Sequence, residues 1–323
     1  MPPFRMHPVL RGGHMQTLAG VYLPGLTFPY RATQHRISLP DDDILIIHDD
    51  VPDGWKPIQG TAVLVHGLCG SHLSPYLVRI AAKLNAVGIR AIRIDLRGCG
   101  AGAGLATNPY HAGRSEDLAA VVDHLLLQEP DGPIAVAGFS LGANIALKYL
   151  GEGADDLSER VVGGVAVNPP IDLSRCIQYL KGPFQKRYDR YFVKLLLEQV
   201  AASPAGLPED LVRQPPRSLY EFDDRYTAPT AGFGNAENYY RLASSKPLLD
   251  KITRPTLILM SSDDPLIPVD VFEDLKLPPH IHLHLAPSGG HLGYLSARGA
   301  DADLRWMDWR VVEGLRAVLQ PES

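Results

Sequence analysis

The chain reads as an α/β protein: a mostly parallel central sheet with helices on both faces and a helical cap insertion. Three observations predict this. Short runs rich in β-branched residues alternate with stretches of helical periodicity along most of the 323 residues. One such run, "IAVAGFSLGAN" (134–144), passes through Gly138-Phe139-Ser140-Leu141-Gly142 into a helical pattern, so one serine sits at the seam of a strand and a helix. The rhythm breaks once, over about 174–250, where no strand pattern occurs.

Taken in order, "ATQHRISL" and "DILIIHD" flank Asp41-Asp42-Asp43 and predict an antiparallel hairpin. "TAVLVHG" (61–67) suits a strand covered on both faces of a parallel sheet. Leu77, Ile80, Ala81 and Leu84 recur at helical spacing and predict a helix over 76–86. "IRAIRIDL" (89–96) is the next strand. A Gly-rich loop then leads to a helix over 115–128, with Ser115 as N-cap and Leu118, Val121, Val122 and Leu125 on its apolar face. The strand "PIAVAGF", a helix over 141–150 and the strand "VGGVAVN" (162–168) come next. "PTLILMS" (255–261) and "IHLHLAP" (281–287) are the last two strands. A final helix is expected over 301–319, with Leu304, Trp306, Met307 and Val311 among its apolar positions. The stretch 174–250 is expected as a cap or lid within a single domain spanning 1–323.

Composition narrows the function. Hydrophobic residues make up 45% of the chain, enough for a large core. Net charge is −5, and no block of like charge exceeds 41–43, so no footprint for nucleic acid is present. Cys69, Cys99 and Cys176 form no CxxC pair, which argues against a disulfide framework or a zinc knuckle. No apolar run approaches the roughly 18 residues of a spanning helix, so no stable membrane insertion is expected. The start, "MPPFRMHPVLRGGHMQT", has no apolar core of signal-peptide length. A cytoplasmic protein is the expectation, with the oligomeric state open.

The chemistry centres on the G-x-S-x-G. A sharp turn between strand and helix lifts a hydroxyl above the sheet edge, and glycines are needed on both sides because a Cβ would collide there. The bland alternative is a tight turn with an incidental serine. A serine hydroxyl is a poor nucleophile unless a base takes its proton and a carboxylate orients that base. In this architecture the partners come in the order serine, acid, histidine. "PTLILMS" runs into "SDDPLIP", where Asp264 is favoured over Asp263 by its place two residues before Leu266. The competing reading has both aspartates capping the next helix. His291, in "PSGGHLGYL", is the only one of 12 histidines beyond the last strand. The backbone N–H groups of Leu141 and of Leu68, in "HGLCG", are the candidate oxyanion donors. His66 either holds that loop or is a satisfied buried histidine. No cofactor is required.

Other stretches carry weaker signals. His280, His282 and His284 alternate along one strand face, but no acidic or cysteine partner is evident, so no metal site is predicted. His14 is expected to stabilise a turn, with folding of the N-terminal arm toward the site as the alternative. The 177–200 stretch interleaves aromatic and aliphatic residues with Lys181, Lys186, Arg187, Arg190 and Lys194. It reads as a helix packing its apolar face on the body, or as an acyl-pocket wall or a lid that grazes lipid.

Together these residues resemble the α/β-hydrolases, and within them the YheT-like branch, related to abhydrolase-domain lipases and yeast medium-chain ethyl ester synthase/esterases. The resemblance is carried by "RGGHMQTL", "HGLCGSHLSPY", "DLRGCG", "YHAG", "GFSLGAN", "FDDRYTAP...GF...YY", "SSDDPLIP" and "GGHLG". It implies serine hydrolysis of a small-molecule carboxylic ester, with Ser140, Asp264 and His291 on the triad positions. The apolar cap suggests short- to medium-chain acyl groups. Two alternatives stand beside this: acyl transfer to an alcohol by the same triad, and a binding protein that keeps the fold without turnover.

Overall fold

Eight strands form one sheet in the order β1-β2-β4-β3-β5-β6-β7-β8. The computed structural model describes residues 1–23, 28–129 and 131–321. β1 (Thr33–Ser38) and β2 (Ile44–Asp50) are antiparallel around the Asp41–Asp43 turn, and β2 is antiparallel to β4 (Arg90–Asp95). β3 (Thr61–Val65), β5 (Ile134–Phe139), β6 (Val161–Val167), β7 (Thr256–Ser261) and β8 (Ile281–Ala286) extend the sheet in parallel. The chain steps from β3 outward to β4, then returns to place β5 on β3's other side. That reversal opens a crevice beyond the carboxyl ends of β3 and β5, where open α/β sheets bind ligands.

The helices are α1 (Gly13–Tyr22), α2 (Pro75–Ala86), α3 (Ser115–Gln128), α4 (Leu141–Glu152) and α11 (Trp306–Leu319), with six more between β6 and β7. β3 shows why its sequence is apolar throughout. Val63 and Val65 pack with Val121 and Val122 of α3 and Ile145 of α4, while Ala62 and Leu64 pack with Leu77 and Ile80 of α2 and Leu315 of α11. Residues 168–255 contain no strand. They form α5 (Leu173–Leu180), α6 (Lys186–Ala201), α7 (Glu209–Arg213), α8 (Leu219–Phe222), a π-turn (Asp223–Thr227), α9 (Ala228–Thr230) and α10 (Ala236–Ala243). Gly182-Pro183 interrupts the expected 177–200 helix and divides it into α5 and α6. No helix among the described residues is long and apolar enough to cross a membrane.

Three expectations need correction. Ser115 is the first helical residue of α3, not its N-cap, and its hydroxyl donates to Glu152 at 2.6 Å. The final helix begins at Trp306 rather than 301, because the Asp301 and Asp303 carboxylates are taken by Arg310 and Lys83 in the preceding turn. The segment holding His14 is a helix, α1, rather than a turn.

The acidic hairpin turn also has a partner. Arg97, just past β4, donates to Asp41 and Asp43 at 2.6 Å and to Asp117 of α3 at 2.7 and 2.8 Å. Asp43 and Asp117 are buried, and the guanidinium opposes the desolvation of both; the N–H groups of Thr107 and Asn108 also hold the Asp43 carboxyl below its ordinary value, whereas burial leaves that of Asp117 raised. Arg97→Met is expected to cost about 3–5 kcal/mol by removing the charge partner that both buried carboxylates share, read as a lower urea midpoint.

Candidate active site

Five strand ends supply the site. Ser140 follows β5 with φ 53 and ψ −122, and Leu141 opens α4 immediately after it. The flanking glycines are sterically required. A Cβ on Gly138 would lie 2.1 Å from the Gly142 carbonyl oxygen, and one on Gly142 would lie 2.4 Å from the carbonyl oxygens of Val65 and His66. Asp264 stands past β7 and His291 past β8. His291 bridges the other two: Nδ1 lies 2.8 Å from Asp264 Oδ2, and Nε2 lies 2.8 Å from Ser140 Oγ. Asp264 and His291 are buried, while Ser140 is partly open.

The two aspartates have different partners. Asp264 Oδ1 accepts from the N–H groups of Leu266 and Ile267 at 2.7 and 3.1 Å, which turns Oδ2 toward the imidazole. Asp263 Oδ1 accepts from Gly290 N–H at 2.8 Å and Ser261 Oγ at 2.6 Å. It braces the histidine loop and does not meet the ring. Neither aspartate caps the next helix, the 3-10 turn Val269–Phe272, which starts after Pro268 with no side-chain cap; Asp264 instead closes the turn at Pro265 while it meets His291.

The loop after β3 carries Leu68. Its neighbours are tethered: Gly67 N–H donates to Tyr76 Oη at 3.0 Å, and Cys69 N–H donates to Tyr110 Oη at 2.8 Å. Among the described residues, the N–H groups of Leu68 and Leu141 donate to no protein acceptor. His66 is fully buried, with Nδ1 donating to Gly67 O at 2.7 Å and Nε2 accepting from Leu96 N–H at 3.1 Å. Burial pushes its pKa down, which favours the neutral ring that this pair of bonds requires.

Several residues escaped the sequence reading. Asn168, fully buried at the end of β6, donates through Nδ2 to Asp264 Oδ2 and accepts from Tyr294 Oη at 2.8 Å. Thr17 of α1 accepts from the His291 N–H at 2.8 Å. Asn168 has only its place at a strand end as a signal. Tyr76 and Tyr110 lie inside motifs already quoted, but their hydroxyl contacts are long-range. His14 is exposed and stacks on Tyr188 of α6, with Nδ1 3.0 Å from its hydroxyl.

The histidine trio near β8 does not converge. His280 turns to the Ile252 carbonyl, and the rings of His282 and His284 are 6.5 Å apart. A different cluster, His48, His72 and Asp95, has metal-ligand spacing. Its imidazoles stack at 3.5 Å and both meet Asp95 through ring nitrogens, at 3.0 and 2.8 Å. The N–H groups of His72 and Ala101 donate to the same carboxylate at 2.6 and 2.8 Å. Four donors fill Asp95, so the cluster is a hydrogen-bonded clamp on the loops after β3 and β4.

Two cavities meet at Ser140 and share Leu68, Phe192 and Leu266. One, about 1140 Å³ with its mouth, lies beneath the helices between β6 and β7 and is walled by Leu173, Ile177, Leu180 and Leu196. The other, about 1790 Å³ with its mouth, runs past His291 between α1 and α6.

Residues 62–297 match a family model described as alpha/beta hydrolase fold. The YheT protein of Escherichia coli (strain K12) is 31% identical over 298 residues, covering 89% of this chain and 86% of that protein. Two Saccharomyces cerevisiae proteins, monoacylglycerol lipase and medium-chain fatty acid ethyl ester synthase/esterase 2, are each 29% identical over 76% and 72% of this chain. The chain spans 56% and 57% of their lengths. Among solved structures, the Pyrococcus furiosus esterase Pf2001 has a TM-score of 0.60 at 20% identity, covering 91% of this chain and 97% of that one. That likeness shows the shared fold.

Asp223 lines the first cavity and accepts from Tyr240 Oη at 2.9 Å. Burial pushes its carboxyl up to about 7. The folded protein then holds a proton that the unfolded chain releases as pH rises above roughly 4, so this group lowers stability between there and about 7. Asp223→Asn should gain in melting temperature relative to the parent as pH is raised from 4 to 8. A constant difference between the two proteins across that range would remove the buried acid from the account.

Proposed function

The chain belongs to the alpha/beta hydrolase fold family, as a hydrolase of the esterase type, and from that premise we propose that it cleaves carboxylic esters through an acyl-enzyme formed on Ser140. The observation that carries this reading is the double contact of His291, 2.8 Å from both Ser140 Oγ and Asp264 Oδ2. Ser140 Oγ attacks the ester carbonyl while His291 Nε2 takes its proton. Asp264 holds the Nδ1–H tautomer and stabilises the imidazolium. The N–H groups of Leu68 and Leu141 receive the oxyanion, each worth about 3 kcal/mol in such sites. His291 then protonates the departing alcohol, and water activated by the same ring releases the acid.

The histidine also orients the substrate. It must reach the leaving oxygen, so the alcohol lies on the cavity that His291 lines and the acyl chain enters the other. The acyl cavity lies under the helical segment between β6 and β7, which acts as the cap. Its apolar walls suit short- to medium-chain acyl groups. The alcohol cavity is also substantially apolar, with Tyr22, Tyr188 and Leu292 among its lining, and this favours a second reading in which an alcohol replaces water.

A fluorophosphonate should label the protein covalently and fail to label Ser140→Ala. Ester turnover should fall by about 10³-fold or more in that variant. Asp264→Asn is expected to lower kcat by about 10⁴-fold and Asp263→Asn far less; the reverse order would make Asp263 the acid. Leu180→Trp should shift the chain-length optimum of p-nitrophenyl esters downward, and an unchanged optimum would move the acyl chain to the other cavity. Ethyl ester formation in ethanol-water mixtures measures how far alcohol competes with water.

A further inference from the structure

α1 is folded inside out. Its inner face consists of Gly13, Gln16, Thr17 and Ala19, all buried. Its outer face carries Met15, Leu18, Val21 and Tyr22, which are 49%, 44%, 59% and 72% exposed. Close approach to the acid and histidine loops dictates this. A Cβ on Gly13 would lie 1.7 Å from the Asp263 carbonyl oxygen, and one on Gly20 would lie 2.8 Å from Gly293 Cα. Only small or hydrogen-bonding side chains fit that seam, so the large apolar ones point outward.

They do not stand alone. Leu18, Val21 and Tyr22 line the alcohol-side cavity opposite Phe184 and Tyr191, which are 68% and 50% exposed. Isolated exposed apolar residues need no explanation, but two facing sets around one open cavity do. The α6 side adds charge. Lys186, Arg187 and Arg190 are exposed and make no ion pair among the described residues, in a chain of net charge −5. Among the described residues Lys194 pairs with Glu198, at 3.8 Å.

We infer that this apolar rim with its basic flank docks onto an anionic lipid surface. Aromatic and aliphatic side chains enter the boundary between headgroups and acyl chains, while the lysines and arginines meet lipid phosphates. A second copy of the chain fits less well, because a two-fold contact would set the basic flank against itself. The surface opens directly into the cavity assigned to the leaving alcohol, so a docked molecule would draw a lipid-borne ester into the site without passing it through water. The docking itself goes beyond the esterase reading.

The test uses Ser140→Ala, so that membrane binding is measured apart from catalysis. In flotation assays it should bind vesicles of phosphatidylcholine mixed with phosphatidylglycerol more tightly than phosphatidylcholine alone, and less so as salt is raised. Val21→Ser with Tyr22→Ser should weaken binding by about tenfold, with the fold checked by circular dichroism. Lys186→Glu with Arg190→Glu should abolish the preference for anionic vesicles while leaving turnover of a soluble ester unchanged in the Ser140 background. No binding to either vesicle overturns the inference. So does a concentration-dependent dimer that Tyr22→Ser disperses, which would make a second copy the occupant. A parent protein that binds vesicles but turns over no ester would instead count against the function proposed for Ser140 and leave the docking standing.

Discussion

The backbone of Ser140 is the constraint on which the site rests. A non-glycine residue at φ 53 and ψ −122 costs about 1–3 kcal/mol and persists only where its surroundings leave no alternative. Here they leave none. The Ser140 N–H is bound to Val167 O at 2.8 Å, its carbonyl accepts from Ala143 and Asn144, and Gly138 and Gly142 are pressed against neighbouring backbone. The strain is stored where α4 meets β5, inside the largest core. It sets the hydroxyl above the sheet edge and points the free N–H of Leu141 toward the same space.

Everything else at the site is brought to that fixed point. β3, β6, β7 and β8 end at the same sheet edge as β5 and contribute Leu68, Asn168, Asp264 and His291. Loops of this kind are mobile unless tied, and each is tied by a buried or partly buried polar contact. Asp263 and Thr17 hold the backbone at Gly290 and His291, Tyr76 and Tyr110 hold the loop of Leu68, and Asn168 links Asp264 to Tyr294. α1 is thus part of the machinery that positions the histidine. Its outward apolar stripe is the physical consequence of that task, which joins the bracing of the site to the surface proposed to meet lipid.

The parts legible in the sequence are those written locally. The alternation of strand and helix, the G-x-S-x-G seam and the placing of Asp264 and His291 after successive strands all follow from short-range pattern, and the geometry brings those three side chains together. α1 is not legible because its inner face is small and polar, the reverse of the usual amphipathic signal, and two glycines weaken its helical propensity. Ser115 has the residue type of a cap, yet the Glu152 carboxylate at the end of α4 claims its hydroxyl. Asn168, Tyr76 and Tyr110 act through contacts across the fold, which no single-sequence periodicity encodes.

Neighbouring Asp263 and Asp264 illustrate how small the difference between a structural and a chemical role is. Both are carboxylates beyond the same strand, and both serve the His291 loop. Asp264 receives the N–H groups of Leu266 and Ile267 on one oxygen, which leaves the other directed at the imidazole. Asp263 has its Oδ1 committed to Ser261 and Gly290. Exchanging the roles would require the turn at Pro265 to reverse, breaking both backbone bonds to Asp264 and releasing the Gly290 amide. The assignment of the orienting acid therefore rests on where the surrounding N–H groups point rather than on the identity of either side chain. The same logic extends to the cavity beneath the helices between β6 and β7, where Asp223 places a polar group among apolar walls. An apolar chain extended to that carboxyl would gain little, because it would displace polar contacts it cannot replace.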